Sequence, residues 1–129
     1  MAMAELPHPD RVRVLLTDPK IAPAELDRHG DAFFEAGRAS VATMFYERAR
    51  TPDRVKKVLD LAVRDGDAFL LDWVARVAPD VATPAACEKC GDAALSQGKL
   101  AFAKQAFDRA GADGKAAAAE NERLRLLNS

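Results

Sequence analysis

The chain has 129 residues, of which 49% are hydrophobic and 30% are charged, and its formal net charge is -1. This length is typical of one domain, and the apolar fraction is too high for an intrinsically disordered chain. A nearly neutral chain lacks the basic stripe of a dedicated nucleic-acid binder, and no apolar run reaches the roughly 20 residues of a membrane span. The N-terminal sequence does not read as a signal peptide, and two cysteines do not form a disulfide framework. We therefore expect a cytoplasmic protein with reduced thiols.

The first predicted element is a short helix from about Pro9 to Thr17. Its sequence, HPDRVRVLLTD, resembles TPDRVKKVLD around Pro52. This internal similarity favours a helix over the short strand that VRVLL would allow by itself. We assign residues 1–21 to an N-terminal tail and this leading helix.

Three further helices are predicted to begin at a proline and to end before a glycine turn. The prolines are Pro23, Pro52 and Pro84, and the glycines about 14 residues later are Gly37, Gly66 and Gly98. Proline is favoured at the first helical position, and the threonines at 51 and 83 are good N-caps. Apolar residues recur at three- and four-residue steps on both sides of each glycine. These features predict three helix–turn–helix hairpins, at about 22–50, 51–80 and 83–111.

Apolar spacing also predicts which faces of the later helices are buried. After the glycine at 66, one predicted apolar face consists of Phe69, Leu70, Trp73, Val74 and Val77. Residues 112–129 are predicted to form a C-terminal helix that covers the last hairpin, with an apolar stripe limited to Leu124, Leu126 and Leu127. The expected fold is all-α, with about seven to eight helices.

The first and third hairpins repeat one another in sequence. GDAFFEAGRASVATMFYERA begins at Gly30, and it aligns without a gap with GDAALSQGKLAFAKQAFDRA, which begins at Gly91. The two leading glycines would let a neighbouring helix approach closely, and Ala42 and Ala103 would do the same from the second helix. Tyr46 and Phe107 would then fill the space between the two helices of their hairpins.

This pattern resembles the tetratricopeptide repeat over about residues 22–111. The matching residues are Gly30, Phe33, Gly37, Ala42, Tyr46 and Ala49 in the first hairpin, and Gly91, Gly98, Ala103, Phe107 and Ala110 in the third. The middle hairpin matches poorly, because Leu59 and Leu71 stand where the family has small residues. Coatomer- and clathrin-like helical solenoids are similar to the last hairpin as well. The resemblance implies a short right-handed α-solenoid of about three hairpins.

The stretch CEKCG contains the only two cysteines, Cys87 and Cys90. One cysteine pair provides only half of a structural zinc site, and a redox dithiol of the thioredoxin type would follow a strand. The alignment instead places both cysteines at the positions of Leu26 and His29, so we expect them to pack as small apolar residues. The alternative that their place in the first turn of a helix leaves open is a lowered pKa of one thiol through the helix dipole. We expect His29 to be a half-buried packing residue.

No pattern in the sequence indicates a catalytic constellation, a cofactor or a metal site, so we expect a non-catalytic interaction module. The resemblance implies that the first helices of the hairpins line a concave face that binds a protein or peptide. The implied partner-binding residues are Asp27, Asp31, Phe34, Glu35, Lys56, Asp60, Val63, Arg64, Glu88, Asp92 and Leu95. Acids predominate among them, so we expect a partner with basic and apolar character. The alternative is a self-assembling subunit, a homo-oligomer that packs through its end hairpins.

Overall fold

The computed structural model describes residues 6–129, and these residues form eight α-helices and no strand. The helices are α1 (Pro9–Thr17), α2 (Pro23–Glu35), α3 (Ala39–Ala49), α4 (Pro52–Asp65), α5 (Ala68–Val77), α6 (Pro84–Ser96), α7 (Leu100–Ala110) and α8 (Asp113–Leu127). The all-α class and the predicted number of helices are confirmed. The first five residues of the predicted N-terminal tail lie outside the described residues. None of the described helices is long and apolar enough to cross a membrane.

Proline starts and glycine turns set the helix boundaries as predicted. Each predicted proline is the first residue of its helix, and Gly37, Gly66 and Gly98 have φ angles of 79°, 59° and 75°. Only glycine adopts such angles without a steric penalty. The hydroxyl of Thr83 accepts a 3.2 Å hydrogen bond from the Ala86 amide and caps α6, as predicted.

Contacts within the chain define two compact units, Met1–Val58 and Leu59–Ser129, so the boundary falls inside α4. In the first unit α2 packs on α3, and α1 contacts α3. Its buried residues include Leu15, Leu26, Phe33, Ala42, Phe45 and Tyr46. The Phe33 and Phe45 rings stack with centroids 5.5 Å apart. Burial of rings of this size contributes roughly 2–3 kcal/mol each.

In the second unit α6 packs on α7, α7 packs on α8, and α5 contacts both α6 and α7. One core cluster consists of Ala94, Ala103, Phe107, Ala116 and Ala119. Two of these alanines belong to α8, so α8 packs against residues of α6 and α7. Four of the five residues are alanines, so the helices approach closely around the buried Phe107 ring.

The two glycines that begin the sequence repeat lie against the aromatic rings predicted to fill each hairpin. A Cβ atom at Gly30 would lie 2.5 Å from Cε1 of Tyr46, and one at Gly91 would lie 2.5 Å from Cδ1 of Phe107. Real Cβ atoms do not approach other atoms so closely, so only glycine fits at either position. Both rings are fully buried. The role assigned to these pairs from the sequence is therefore confirmed.

Two predicted apolar faces are wrong in detail. Phe69 is 73% exposed, because Ala68, Leu71 and Val74 form the buried face of α5 at a three-residue step that turns Phe69 outward. The predicted stripe of α8 is exposed as well, at 42% for Leu124, 51% for Leu126 and 67% for Leu127. The buried residues of α8 are Ala116 and Ala119 in its first half, and the leucines occupy its last turns.

Candidate partner-binding surface

Two of the acids predicted to bind a partner, Asp27 and Asp31, lie one turn apart on α2 and share Arg54 of α4. Arg54 Nε and Nη2 donate to the two carboxylate oxygens of Asp31 at 3.0 and 3.1 Å, and Nη1 donates to Asp27 at 3.2 Å. The Thr51 hydroxyl donates to Asp27 at 2.8 Å, and the Tyr46 hydroxyl donates to Asp31 at 2.6 Å. We name Asp27, Asp31 and Arg54 the arginine clamp.

The electrostatics of the arginine clamp follow from these hydrogen bonds. Partial burial alone would raise the pKa of Asp31, but the hydrogen bonds from Arg54 and Tyr46 outweigh it and hold that pKa below its usual value. Burial and the bond to Asp31 raise the pKa of the Tyr46 hydroxyl. Asp31 is therefore ionised and Tyr46 is neutral at physiological pH, as this arrangement requires.

The second unit contains a corresponding group on α6 and α8. Lys115 Nζ lies 3.1 Å from Asp92 Oδ1 and 3.6 Å from Glu88 Oε1. It also lies 5.5 Å from the centroid of the Phe107 ring. The hydrogen bond to Asp92 raises the pKa of Lys115. We name Glu88, Asp92 and Lys115 the lysine clamp.

Each member of the arginine clamp stands 61 residues before its counterpart in the lysine clamp. The same offset relates Gly30 to Gly91 and Tyr46 to Phe107, and it relates the buried Val55 and Val58 of α4 to the buried Ala116 and Ala119 of α8. Helix α8 therefore corresponds to α4, and its first half corresponds to the first half of α4. The sequence alignment ended at residues 49 and 110, and its extension by five residues would have found the cations of both clamps.

Other predicted residues of the first unit lie at the surface beside the arginine clamp. Phe34 is half-buried, and Lys57 Nζ lies over its ring, 4.5 Å from the centroid. Such a contact is typical of cation–π attraction. Glu35 and Lys56 are exposed.

The remaining predicted residues belong to the second unit. Asp60 and Arg64 are exposed, Val63 is half-buried, and Leu95 is 45% exposed. Arg64 pairs with its neighbour Asp65 at 3.1 Å. The membership of all the predicted residues in one binding face, those of the two clamps included, stays a prediction.

The clamps change the charge balance of the predicted surface. Four of its six acids are paired within the chain, and they are Asp27, Asp31, Glu88 and Asp92. Each clamp still holds two carboxylates against one cation, which leaves one net negative charge. The other two acids, Glu35 and Asp60, form no ion pair among residues 6–129.

Both cysteines are buried and unpaired. Cys90 Sγ lies 3.5 Å from the carbonyl oxygen of Ala62, and Cys87 Sγ lies 3.9 Å from that of Ala82. Burial raises the pKa of Cys87, and it raises that of Cys90 to about 12. The packing role expected from the sequence agrees with this burial. Neither thiol pKa is lowered at the start of α6, because burial is the largest influence on both.

His29 is half-buried as expected, and it borders a pocket that sequence reasoning missed. Its Nε2 lies 3.8 Å from Glu25 Oε1, and its ring centroid lies 5.8 Å from that of Phe45. Burial, with help from Arg28, lowers the pKa of His29. The open pocket has a volume of about 350 Å³ and is lined by Leu6, Pro7, His8, Arg11, Leu15, Glu25 and His29. Within residues 6–129, no three His, Cys, Asp or Glu side chains are grouped to hold a metal ion.

The fold and the repeated clamps define an all-α protein that is compatible with a helical repeat. No family model, curated protein or solved structure matches the chain. The tetratricopeptide-like pattern therefore rests on the residues of the chain alone.

Proposed function

We propose that this protein is a non-catalytic protein–protein interaction module, an adaptor or scaffold with the fold of a short right-handed α-solenoid of the tetratricopeptide or coatomer type. The observation that carries the proposal is the repetition of one surface arrangement. In the first unit, α2 carries two acids one turn apart that bind a cation of α4. In the second unit, α6 carries two such acids that bind a cation of α8. In each unit an apolar residue stands three positions after the second acid. Those apolar residues are Phe34 and Leu95.

The environments of the ionisable groups support a structural role for them. The Asp31 carboxylate accepts hydrogen bonds from the Tyr46 hydroxyl and from Arg54. Because both groups are engaged in this way, neither is placed to transfer a proton to a substrate. The raised pKa of each cysteine leaves the thiol protonated, whereas a catalytic cysteine requires the thiolate. A reducing, cytoplasmic setting is part of the proposal, since both thiols are unpaired.

The partner in this proposal is a protein or peptide segment that combines basic and apolar residues. Each clamp retains one net negative charge, and Glu35 and Asp60 add two exposed acids. Phe34, Val63 and Leu95 supply the apolar contact area. A binding face of this composition selects against nucleic acid, because phosphates would meet an excess of carboxylates.

A self-assembling subunit is the second candidate, and the exposed leucines in the last turns of α8 favour it. Two copies could not stack through the same close helix contact that Gly66 and Ala94 make within the chain, because the residues at the corresponding positions are too large. Gly66 packs on the backbone of Ala94, and a Cβ there would lie 2.6 Å from the Ala94 Cα. If two copies stacked in the same way, Leu127 of one copy would stand at the position that corresponds to Gly66, and Phe33 of the other copy at the position that corresponds to Ala94. Neither substitution leaves room for the same close approach.

Light scattering separates the two candidates. We expect a monomer at millimolar concentration, whereas a defined oligomer would favour the subunit. Affinity capture from native cells then tests the adaptor directly with two surface variants, Glu35→Lys and Leu95→Ser, and with Val14→Ser on α1 as an exposed control. Loss of the captured partner in the first two alone supports the proposal. Equal capture by all variants contradicts it. Asp31→Lys is unsuitable, because it would also break the arginine clamp.

A further inference from the structure

Leu95 is an exposed apolar residue whose counterpart in the first unit is covered. That counterpart is Phe34, and Nζ of Lys57 lies over its ring, 4.5 Å from the centroid. The residue 61 positions after Lys57 is Ala118, which is exposed on α8. A methyl group cannot reach as a lysine does, so Leu95 remains 45% exposed.

Asp92, one turn before Leu95, has fewer hydrogen-bond partners than its counterpart Asp31. Its counterpart Asp31 accepts hydrogen bonds from Arg54 and from the Tyr46 hydroxyl, and the charge of Lys57 lowers the pKa of Asp31 further. Asp92 accepts a hydrogen bond from Lys115. Phe107 supplies no hydroxyl and Ala118 supplies no ammonium, so the side chain of Asp92 is 52% exposed.

The net charge around Asp92 is also more negative than the net charge around Asp31. Asp27, Asp31, Arg54 and Lys57 sum to zero in the first unit. Their counterparts in the second unit are Glu88, Asp92, Lys115 and Ala118, which sum to one negative charge. The nearby Glu122 and Arg125 pair with each other at 2.5 Å and add no net charge.

We propose that Leu95, Asp92 and Ala118 form a docking site for a lysine side chain of a partner segment. The incoming stem covers Leu95, and the ammonium meets the half-exposed Asp92, so a foreign lysine takes the position that Lys57 has in the first unit, where its Nζ lies over Phe34 and its charge acts on Asp31. This inference rests on the proposed adaptor function, and it places one of the partner's basic residues at a defined point. An apolar residue beside that lysine extends the contact along α6 and α8.

Ala118→Lys tests the site by filling it from within the chain. The probe is a pair of synthetic eight-residue peptides, one with a central lysine between leucines and one with glutamate in place of that lysine. Binding is followed by the NMR signals of the Leu95 methyl groups and the Asp92 amide. We expect these signals to shift with the lysine peptide, and the glutamate peptide to bind at least tenfold more weakly. We expect Ala118→Lys to abolish the shifts, and Ala117→Lys, which adds the same charge at the next exposed position, to preserve them.

The outcomes separate this inference from the proposed function. If Ala118→Lys and Ala117→Lys bind the lysine peptide alike, the site is wrong. If the peptide binds but shifts signals around Glu35 or Phe34 instead, the adaptor proposal stands and this inference fails. If no peptide shifts any signal, the inference fails, and the capture experiment alone decides the adaptor function. Thermal unfolding of both lysine variants checks that each is folded.

Discussion

The ring of Tyr46 lies so close to Gly30 that a Cβ atom on residue 30 would stand 2.5 Å from the ring carbon Cε1. Phe107 lies equally close to Gly91. These two pairs set the distance between α2 and α3 and between α6 and α7, so a larger residue at either glycine should be costly.

Gly30→Ala and Gly91→Ala should each lower the free energy of unfolding by about 1–3 kcal/mol. The overpacking cost exceeds the 0.5–1 kcal/mol or so that alanine gains as a helix former, because the facing rings are fully buried and have no space to move. Urea unfolding measures both effects. Gly114→Ala in α8 is the control, since nothing lies within 4 Å of a Cβ there, and it should stabilise by up to about 0.5–1 kcal/mol. Destabilisation by all three substitutions would contradict the packing interpretation.

Arg50→Gly should stabilise the protein by about 0.5–1 kcal/mol. Arg50 ends α3 at a φ of 58°, which costs a non-glycine residue about 1–2 kcal/mol, and the added flexibility of glycine in the unfolded chain offsets part of the gain. Its counterpart at the 61-residue offset is Gly111, which has a φ of 74°. Gly111→Ala should therefore destabilise, and thermal unfolding of the two variants should shift in opposite directions. Shifts of the same sign would remove the backbone explanation.

The two clamps should differ in their contribution to stability. Arg54→Met removes three hydrogen bonds to carboxylates, so we expect it to lower stability measurably. Lys115→Met removes a contact with half-exposed acids, and we expect a smaller loss of stability. Chemical unfolding at low and high salt measures both, and salt should reduce the Lys115 effect more. A larger loss of stability for Lys115→Met than for Arg54→Met would contradict this prediction, because the lysine clamp would then contribute more to stability.

Thiol labelling should be slow in the folded protein. The pKa of Cys90, raised to about 12, reduces its thiolate fraction at neutral pH by roughly a thousandfold relative to an ordinary cysteine. We expect neither cysteine to react with a thiol reagent within minutes at pH 7.5, and both to react at once in urea. Mass spectrometry counts the labels. Rapid modification of Cys87 or Cys90 in the folded state would overturn their packing role.

Stability should fall as the pH drops through the ordinary histidine range, and His29 should account for part of this fall. Burial and the neighbouring Arg28 and Arg11 lower the pKa of His29 in the folded protein, and Glu25 opposes them. The unfolded chain therefore takes up the proton first as the pH falls below about 6.5, and this favours unfolding. Urea midpoints at pH 7.5 and 5.5 measure the effect. His29→Gln should reduce the difference between them, and an unchanged difference would assign it to other groups.

The sequence determined the helices well because their boundaries depend on local chemistry. A proline at the first helical position and a glycine at a positive φ act within a few residues, so Pro23 and Gly37 suffice to place α2. The repeat also identified Gly30 and Tyr46 as a contact. These signals survive without any knowledge of the tertiary structure.

The surface was harder to predict because its charges are paired through space. From the sequence, Asp31 is predicted to be a partner-binding acid on the concave face. In the structure it binds Arg54, which lies 23 residues later in the chain. Phe69 and Leu71 are both large and apolar, and only the direction of α5 against its neighbours decides which one is buried. Such choices depend on packing between helices, which single-sequence spacing does not encode.

Helix α4 has a further consequence for how the protein can be divided. Val55 and Val58 fall on one side of the boundary between the compact units, and Leu59 and Ala62 fall on the other, although all four belong to one continuous helix. The natural cut suggested by the turn before Pro52 would take the Arg54 side chain away from Asp27 and Asp31. A cut between the units would split a helix. Neither hairpins nor compact units are therefore separable modules, and swapping either into another protein would require the whole of α4 to travel with it.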